Sequence, residues 1–389
     1  MKKGNHLLRI IVVSVSYFLV AEIGLVIGFL LRPAPEENYA KLNELSGLIE
    51  EYFIGESDKT AMEDGAAAGM IASLGDKWSY YIPADQYDAH MEQMGNSYVG
   101  IGVTISVENT EKGLEVLSVE PTGGAYEAGI RVGDILTAVN GQSVIQNGVD
   151  KSKELIRGKE GTQVSITFLR EEQSITVDVT RKVIQVVVAE GQMLEGNIGL
   201  ITIHNFDDRC ASETIAAIET LLDQGAESLI FDVRNNPGGY KHELVEVLDY
   251  LLPAGVLFRS ISHDGAEEID ESGESCLDIP MAVLINGNSY SAAEFFAAAL
   301  EEYDWAVTVG EKTVGKSYYQ STFQFSDGSA VGLSIGKYCT PNGVSLAEVG
   351  GLEPKVPVEV DKETAAKIYA GTLEPEKDPQ ILAAVEALK

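Results

Sequence analysis

The chain has 389 residues, enough for two or three domains and an ample core, and its 45% hydrophobic and 23% charged residues are ordinary for a globular protein. Asp and Glu outnumber Lys and Arg by 60 to 28. A field of that sign repels phosphate backbones and argues against nucleic acid as a partner. Three scattered cysteines (Cys210, Cys276, Cys339) and five histidines without ligand spacing make neither a disulfide framework nor a metal site, so no metal or cofactor is expected.

In chain order, residues 10–31 are apolar apart from Ser14, Ser16, Glu22 and a few small residues, long enough to span a bilayer. Lys2, Lys3 and Arg9 precede them, while Arg32 and then Glu36 and Glu37 follow. Positive charge stays inside, so residues 1–32 read as a short cytoplasmic N-terminus and a single-pass anchor in the cell membrane, with the rest extracytoplasmic. A cleaved signal peptide is the competing reading, although no small-x-small site follows the apolar stretch. Residues 33–94 read as a linker and a helical region, from the periodicity of Leu42, Leu45, Leu48, Ile49, Tyr52 and Phe53. Residues 95–183 change character: Val- and Ile-rich runs at 102–106, 114–119, 164–168 and 175–179 alternate as strands do, between Gly-rich turns. Residues 184–360 have α/β texture, with buried-strand candidates at 198–203, 228–233, 282–285 and 306–309 and helices at 211–223, 241–252 and 292–302. A β-rich segment at 321–338 and a charged helical tail at 361–389 complete the chain.

Three loops carry the chemistry. In Asn286-Gly-Asn-Ser-Tyr-Ser-Ala-Ala-Glu294 a buried strand ends and an apolar helix begins, which sets Ser291 at a helix start beside backbone N–H groups with no intrahelical partner. Ser291 and Glu294 also read as a capping box, which needs no catalysis. Lys316 follows another strand. A lysine in an apolar pocket loses its proton more readily and can activate a serine, and Gln320 lies four residues on. Arg234-Asn-Asn-Pro-Gly-Gly239 links a strand to a helix, and its glycines permit exposed N–H groups.

Taken together, Ser291, Lys316, Gln320 and the Arg-Asn-Asn-Pro-Gly-Gly turn resemble the active site of the carboxyl-terminal processing (tail-specific) serine peptidases. The resemblance implies Ser291 as nucleophile, Lys316 as general base and Gln320 as the residue orienting it, with an oxyanion hole from the backbone N–H groups of Gly238 and Ala292. Where that family alternates serine with alanine, this chain has Ser289-Tyr-Ser-Ala-Ala-Glu294, and Cys339 and Val344 also depart from its pattern. Residues 128–141, from Ala128 to Gly141, resemble a PDZ segment, and Tyr98-Val-Gly-Ile-Gly-Val103 resembles its carboxylate-binding loop. Gly100, Ile101, Gly102 and Val103 are then the substrate-binding candidates, capturing a free C-terminus by backbone N–H groups. Leu74-Gly-Asp-Lys-Trp-Ser-Tyr-Tyr81 resembles the helical region that precedes the PDZ.

The implied fold is α/β: a crotonase-like peptidase core with an inserted PDZ-like β module, flanking helices and an N-terminal transmembrane helix. The implied activity is a membrane-anchored serine endopeptidase that cuts protein or peptide substrates near a free C-terminus through an acyl-enzyme. Its terminal helices, 39–72 and 361–389, are the candidates for a homodimer contact. The competing class is an inactive or conditionally active PDZ peptide-binding scaffold.

Overall fold

The computed structural model describes residues 39–106 and 112–389. The apolar stretch 10–31 lies outside them, and among the described residues no helix is long and apolar enough to cross a membrane. The chain divides into two units, one ending at Ser73 and one running from Leu74 to Lys389. In the first, the expected helical stretch is two helices, Ala40–Tyr52 and Lys59–Ala72, the second capped by the Asp58 carboxylate, which accepts from Ala61 N–H at 3.1 Å. Neither helix buries a residue.

In the second unit a six-stranded sheet orders Ala189–Leu194, Ile198–Ile203, Ser228–Asp232, Met281–Ile285, Ala306–Gly310 and Val356–Pro357. The first pair is antiparallel and the others are parallel. Parallel sheets are covered on both faces, which is why these strands read as unbroken apolar runs. Along Ser228–Asp232, Leu229 and Phe231 enter a cluster with the helices Cys210–Asp223, Lys241–Leu251 and Ala292–Glu302. Ile230 faces the other way, onto Ile381 and Ala384 of the last helix, Pro379–Ala387. Part of the charged tail is thus core: Ile381 and Ala384 are spent inside the chain and are not free for a dimer contact.

A separate hydrophobic cluster (Ile101, Leu114, Leu136, Ile166, Phe168 and Val179 among its members) holds the β module. Its strands follow the order Val103–Ile105, Leu114–Val119, Ile135–Val139, Gln163–Arg170 and Gln173–Thr180. A further sheet contains Tyr80–Ile82, Tyr318–Gln324, Ala330–Cys339, Gly255–Ser262 and Glu267–Ser272. The first of these strands lies beyond the periodic stretch 39–72, within the region read as linker and helical: Tyr80–Ile82 pairs antiparallel with Ala330–Gly332. An aromatic and β-branched triplet ahead of Pro83 suits a pleated edge better than a helix.

Candidate active site

Strands Ser228–Asp232, Met281–Ile285 and Ala306–Gly310 are parallel neighbours, so the segments after them leave the sheet at the same edge. Open α/β sheets gather their ligand sites at that edge. The three candidate loops, well separated in sequence, therefore meet.

Ser291 begins the helix Ala292–Glu302 with φ 58° and ψ −126°. A non-glycine residue held there costs about 1–3 kcal/mol and persists only where its surroundings impose it. The imposing contacts are specific. Tyr290 N–H donates to the Asn236 carbonyl at 3.1 Å, and Ser289, fully buried, donates its hydroxyl to the Val233 carbonyl at 2.8 Å. Asn235 Oδ1 accepts from the side-chain amides of Asn286 and Asn288, each at 3.0 Å. The loop bearing Ser291 is thereby lashed to the turn 234–239.

Gly238 closes that turn against the serine. At φ 89° its Cα lies so near that a Cβ would stand 2.7 Å from Ser291 Cβ and 2.9 Å from Ala292 N. Its N–H differs from expectation: it donates to Asn236 Oδ1 at 2.8 Å, because the fully buried Asn236 side chain folds back over its own turn while its amide donates to the Ile203 carbonyl. As an oxyanion donor Gly238 is thus already engaged. Ala292 N–H, in the first turn of the helix, has no acceptor among the described residues, nor has Gly239 N–H.

Glu294 does more than cap. Its carboxylate is fully buried, and Oε2 accepts from the backbone N–H of Ser291 at 2.9 Å and of Lys316 at 2.8 Å. Oε1 accepts from Gly315 N–H at 2.6 Å and from the Thr313 hydroxyl. One side chain therefore fixes the backbones of both dyad candidates. Burial pushes its carboxyl up and the four donors pull it down, with burial the larger.

The Lys316 ammonium nitrogen lies 4.7 Å from the Trp78 ring centroid and 5.8 Å from that of Tyr290, whose rings stack on each other. Burial pushes the lysine below its usual range, and the nearby Asp76 and Glu294 oppose that shift. Among the described residues no hydrogen bond joins this amine to Ser291 or to Gln320. Gln320 donates instead to the Tyr318 carbonyl and the Ser334 hydroxyl, both at 3.0 Å. Ser334 N–H donates to Ser79 Oγ, which donates to Asp76, so the glutamine reaches the lysine's carboxylate neighbour through two serines. Beside this chain opens a cavity of about 640 Å³ lined by Leu74, Tyr318, Leu333 and Ile335 among others.

Trp78, Asp76 and Glu294 are the members that reading the motifs did not assign to the site. The Leu-Gly-Asp-Lys-Trp-Ser-Tyr-Tyr segment was the signal for the first two. A group foreseen by no motif, Asp208, His242 and Glu243, brings ligand atoms within 4.8 Å of one another. Glu243 uses both oxygens on the N–H groups of Arg209 and Ala211, so capping the helix Cys210–Asp223 accounts for it.

In the β module Gly100, Ile101, Gly102 and Val103 line a cavity of about 170 Å³ with Tyr98, and the opposite side supplies Lys153, Ile156 and Arg157. The N–H groups of Ile101 and Gly102 have no acceptor among the described residues.

Known proteins give this geometry its context. Residues 197–358 match Peptidase family S41, and residues 115–170 match the PDZ domain. The chain is 33% identical to the carboxy-terminal processing protease CtpA of Bacillus subtilis (strain 168), an alignment that covers 84% of this chain and 70% of that protein. It is 30% identical to a CtpA-like serine protease of Staphylococcus epidermidis, over 85% of this chain and 68% of the relative. Among solved structures, an S41 protease from Bacteroides fragilis NCTC 9343 superposes with a TM-score of 0.51 at 16% identity, covering 86% of this chain and 92% of that one, a likeness of fold. The chain is accordingly a PDZ-containing serine peptidase that belongs to peptidase family S41, the carboxy-terminal processing proteases.

Proposed function

We propose that this chain is a membrane-anchored endopeptidase that cuts protein substrates near free C-termini, with Ser291 as nucleophile and Lys316 as general base. The observation that carries this reading is the single Glu294 oxygen that holds the backbones of both residues. In the reaction the neutral Lys316 amine takes the Ser291 hydroxyl proton as Oγ bonds to the scissile carbonyl carbon. The carbonyl oxygen becomes an oxyanion, for which the Ala292 N–H, without an acceptor among the described residues, is the available donor. The ammonium then returns its proton to the departing amine, leaving an acyl-enzyme that water cleaves by the same steps. Gln320 orients the lysine at one remove, through Ser334, Ser79 and Asp76.

The test is to incubate the full-length protein with a proteome and map new C-termini. Ser291-dependent ends should accumulate, and an identical pattern from Ser291→Ala would remove the proposal. The absence of a hydrogen bond from Lys316 to Ser291 among the described residues favours a second reading, a conditionally active enzyme whose lysine rests on Trp78 until substrate docks. A lag that a C-terminal peptide abolishes would distinguish it.

The basic residues ahead of 10–31 support placement outside the cytoplasm. Protease shaving of intact cells should then release most of the chain, and protection of the bulk would contradict this topology. For the PDZ groove, the unpartnered N–H groups of Ile101 and Gly102 and the nearby Arg157 support capture of a terminal carboxylate. A peptide with a free C-terminus should bind the full-length protein roughly tenfold more tightly than its amidated copy, since charge-assisted bonds are about twice as strong as neutral ones. Equal affinities would leave the groove without that role.

A further inference from the structure

Arg234 opens the turn that packs on the nucleophile, yet its side chain leaves the site and is 4% exposed. Its Nε and Nη2 donate to the two oxygens of Asp232, at 2.9 and 2.6 Å. Nη1 donates to Asp378 Oδ2 and to Gln380 Oε1, both at 2.8 Å. Those last two residues come from the far end of the chain. Asp378, 2% exposed, uses Oδ1 to cap the helix Pro379–Ala387 by accepting from Gln380 and Ile381 N–H. Gln380, 1% exposed, donates its amide to the Val358 carbonyl. The helix itself is seated on the back of the sheet through Ile381 and Ala384.

We propose that Asp378 and Gln380 are positioning residues for the catalytic turn, and that the C-terminal helix is a latch that acts on it through Arg234. A buried donor short of an acceptor is costly, and withdrawal of Asp378 or Gln380 leaves Nη1 short of one while Asp232 still balances the charge, so the guanidinium shifts to find a new partner. The backbone that moves with it leads in four residues to Gly238, whose place beside Ser291 has no slack, since a Cβ there would already collide. A small displacement at a reacting centre costs roughly tenfold to a hundredfold in rate. This inference rests on Ser291 as the nucleophile.

The experiment compares Asp378→Asn, Gln380→Leu and the double variant Asp378→Asn/Gln380→Glu in the full-length chain, with fluorescein-labelled casein as substrate. Asp378→Asn keeps the helix cap and removes the charge. It should lower kcat roughly tenfold or more with KM within about twofold. The double variant returns a carboxylate to the other acceptor of the same nitrogen and should recover most of the loss. Should Asp378→Asn fail to fold, Gln380→Leu keeps the charge pair and should still lower kcat. A fall in Tm with kcat unchanged in both single variants would reduce the latch to a structural tie and overturn the proposal. So would a kcat loss in Asp378→Asn that the double variant does not restore. Full activity in Ser291→Ala, run in the same assay, would instead mark failure of the nucleophile assignment.

Discussion

If Ser291 and Lys316 serve one proton transfer as proposed, Ser291→Ala and Lys316→Ala are expected to lose comparable activity, on the order of 10³-fold or more in kcat, with the double variant little worse. Lys316→Arg should fail as well, since a guanidinium does not surrender its proton. The electrostatics add a sign. Burial lowers the lysine's affinity for a proton, and Asp76 and Glu294 restore part of it. The neutral amine is the reactive form, so kcat/KM should rise with pH along a limb whose midpoint lies below the ordinary lysine value of 10.5. Asp76→Asn removes a charge that favours the ammonium and should move that limb toward acid. A limb that moved toward alkali would show that Asp76 does not act on this lysine. Substantial turnover by Lys316→Ala at every pH would exclude it as the base.

What the sequence made legible follows from period and turn chemistry. The strand Ile198–Ile203 and the helix Ala292–Glu302 fall where apolar runs and helical spacing place them, and the strand Leu114–Val119 follows its alternation. The candidate nucleophile, base and turn stood out because each sits in a short segment of distinctive residue types. The partners that hold them were not, because they act across the topology. Trp78 reaches Lys316 only through the packing of a segment more than 200 residues away in the chain. Tyr80–Ile82 has the residue types of a strand, but its partner Ala330–Gly332 lies far along the chain, which local propensity does not announce. The engagement of Gly238 N–H by Asn236 depends on one side-chain rotamer within the turn. Glu294 is the instructive case. Its capping role was visible from spacing alone, whereas its bonds to Thr313, Gly315 and Lys316 come from the adjacent strand's loop.

Glu294→Gln should therefore behave as an active-site variant as well as a destabilised one. The amide keeps the shape but replaces one acceptor oxygen with a donor, which then faces either Ser291 and Lys316 N–H or Thr313 and Gly315. Each buried donor left unpaired costs about 1–3 kcal/mol, so stability should fall by roughly 2–5 kcal/mol. The amide can relieve either pair only by turning or by pushing a backbone away, and both dyad backbones hang on the same oxygen. A drop of roughly 10²-fold in kcat is expected in the protein that remains folded. Thr313→Val separates the two effects. It removes one donor from Oε1 and the acceptor of Leu352 N–H, leaves the bonds to Ser291 and Lys316 intact, and should cost roughly 2–4 kcal/mol with kcat near wild type. Thermal melts and kcat measured on the same preparations decide the matter: a Glu294→Gln protein that melts lower yet turns over at the wild-type rate would confine this carboxylate to helix capping.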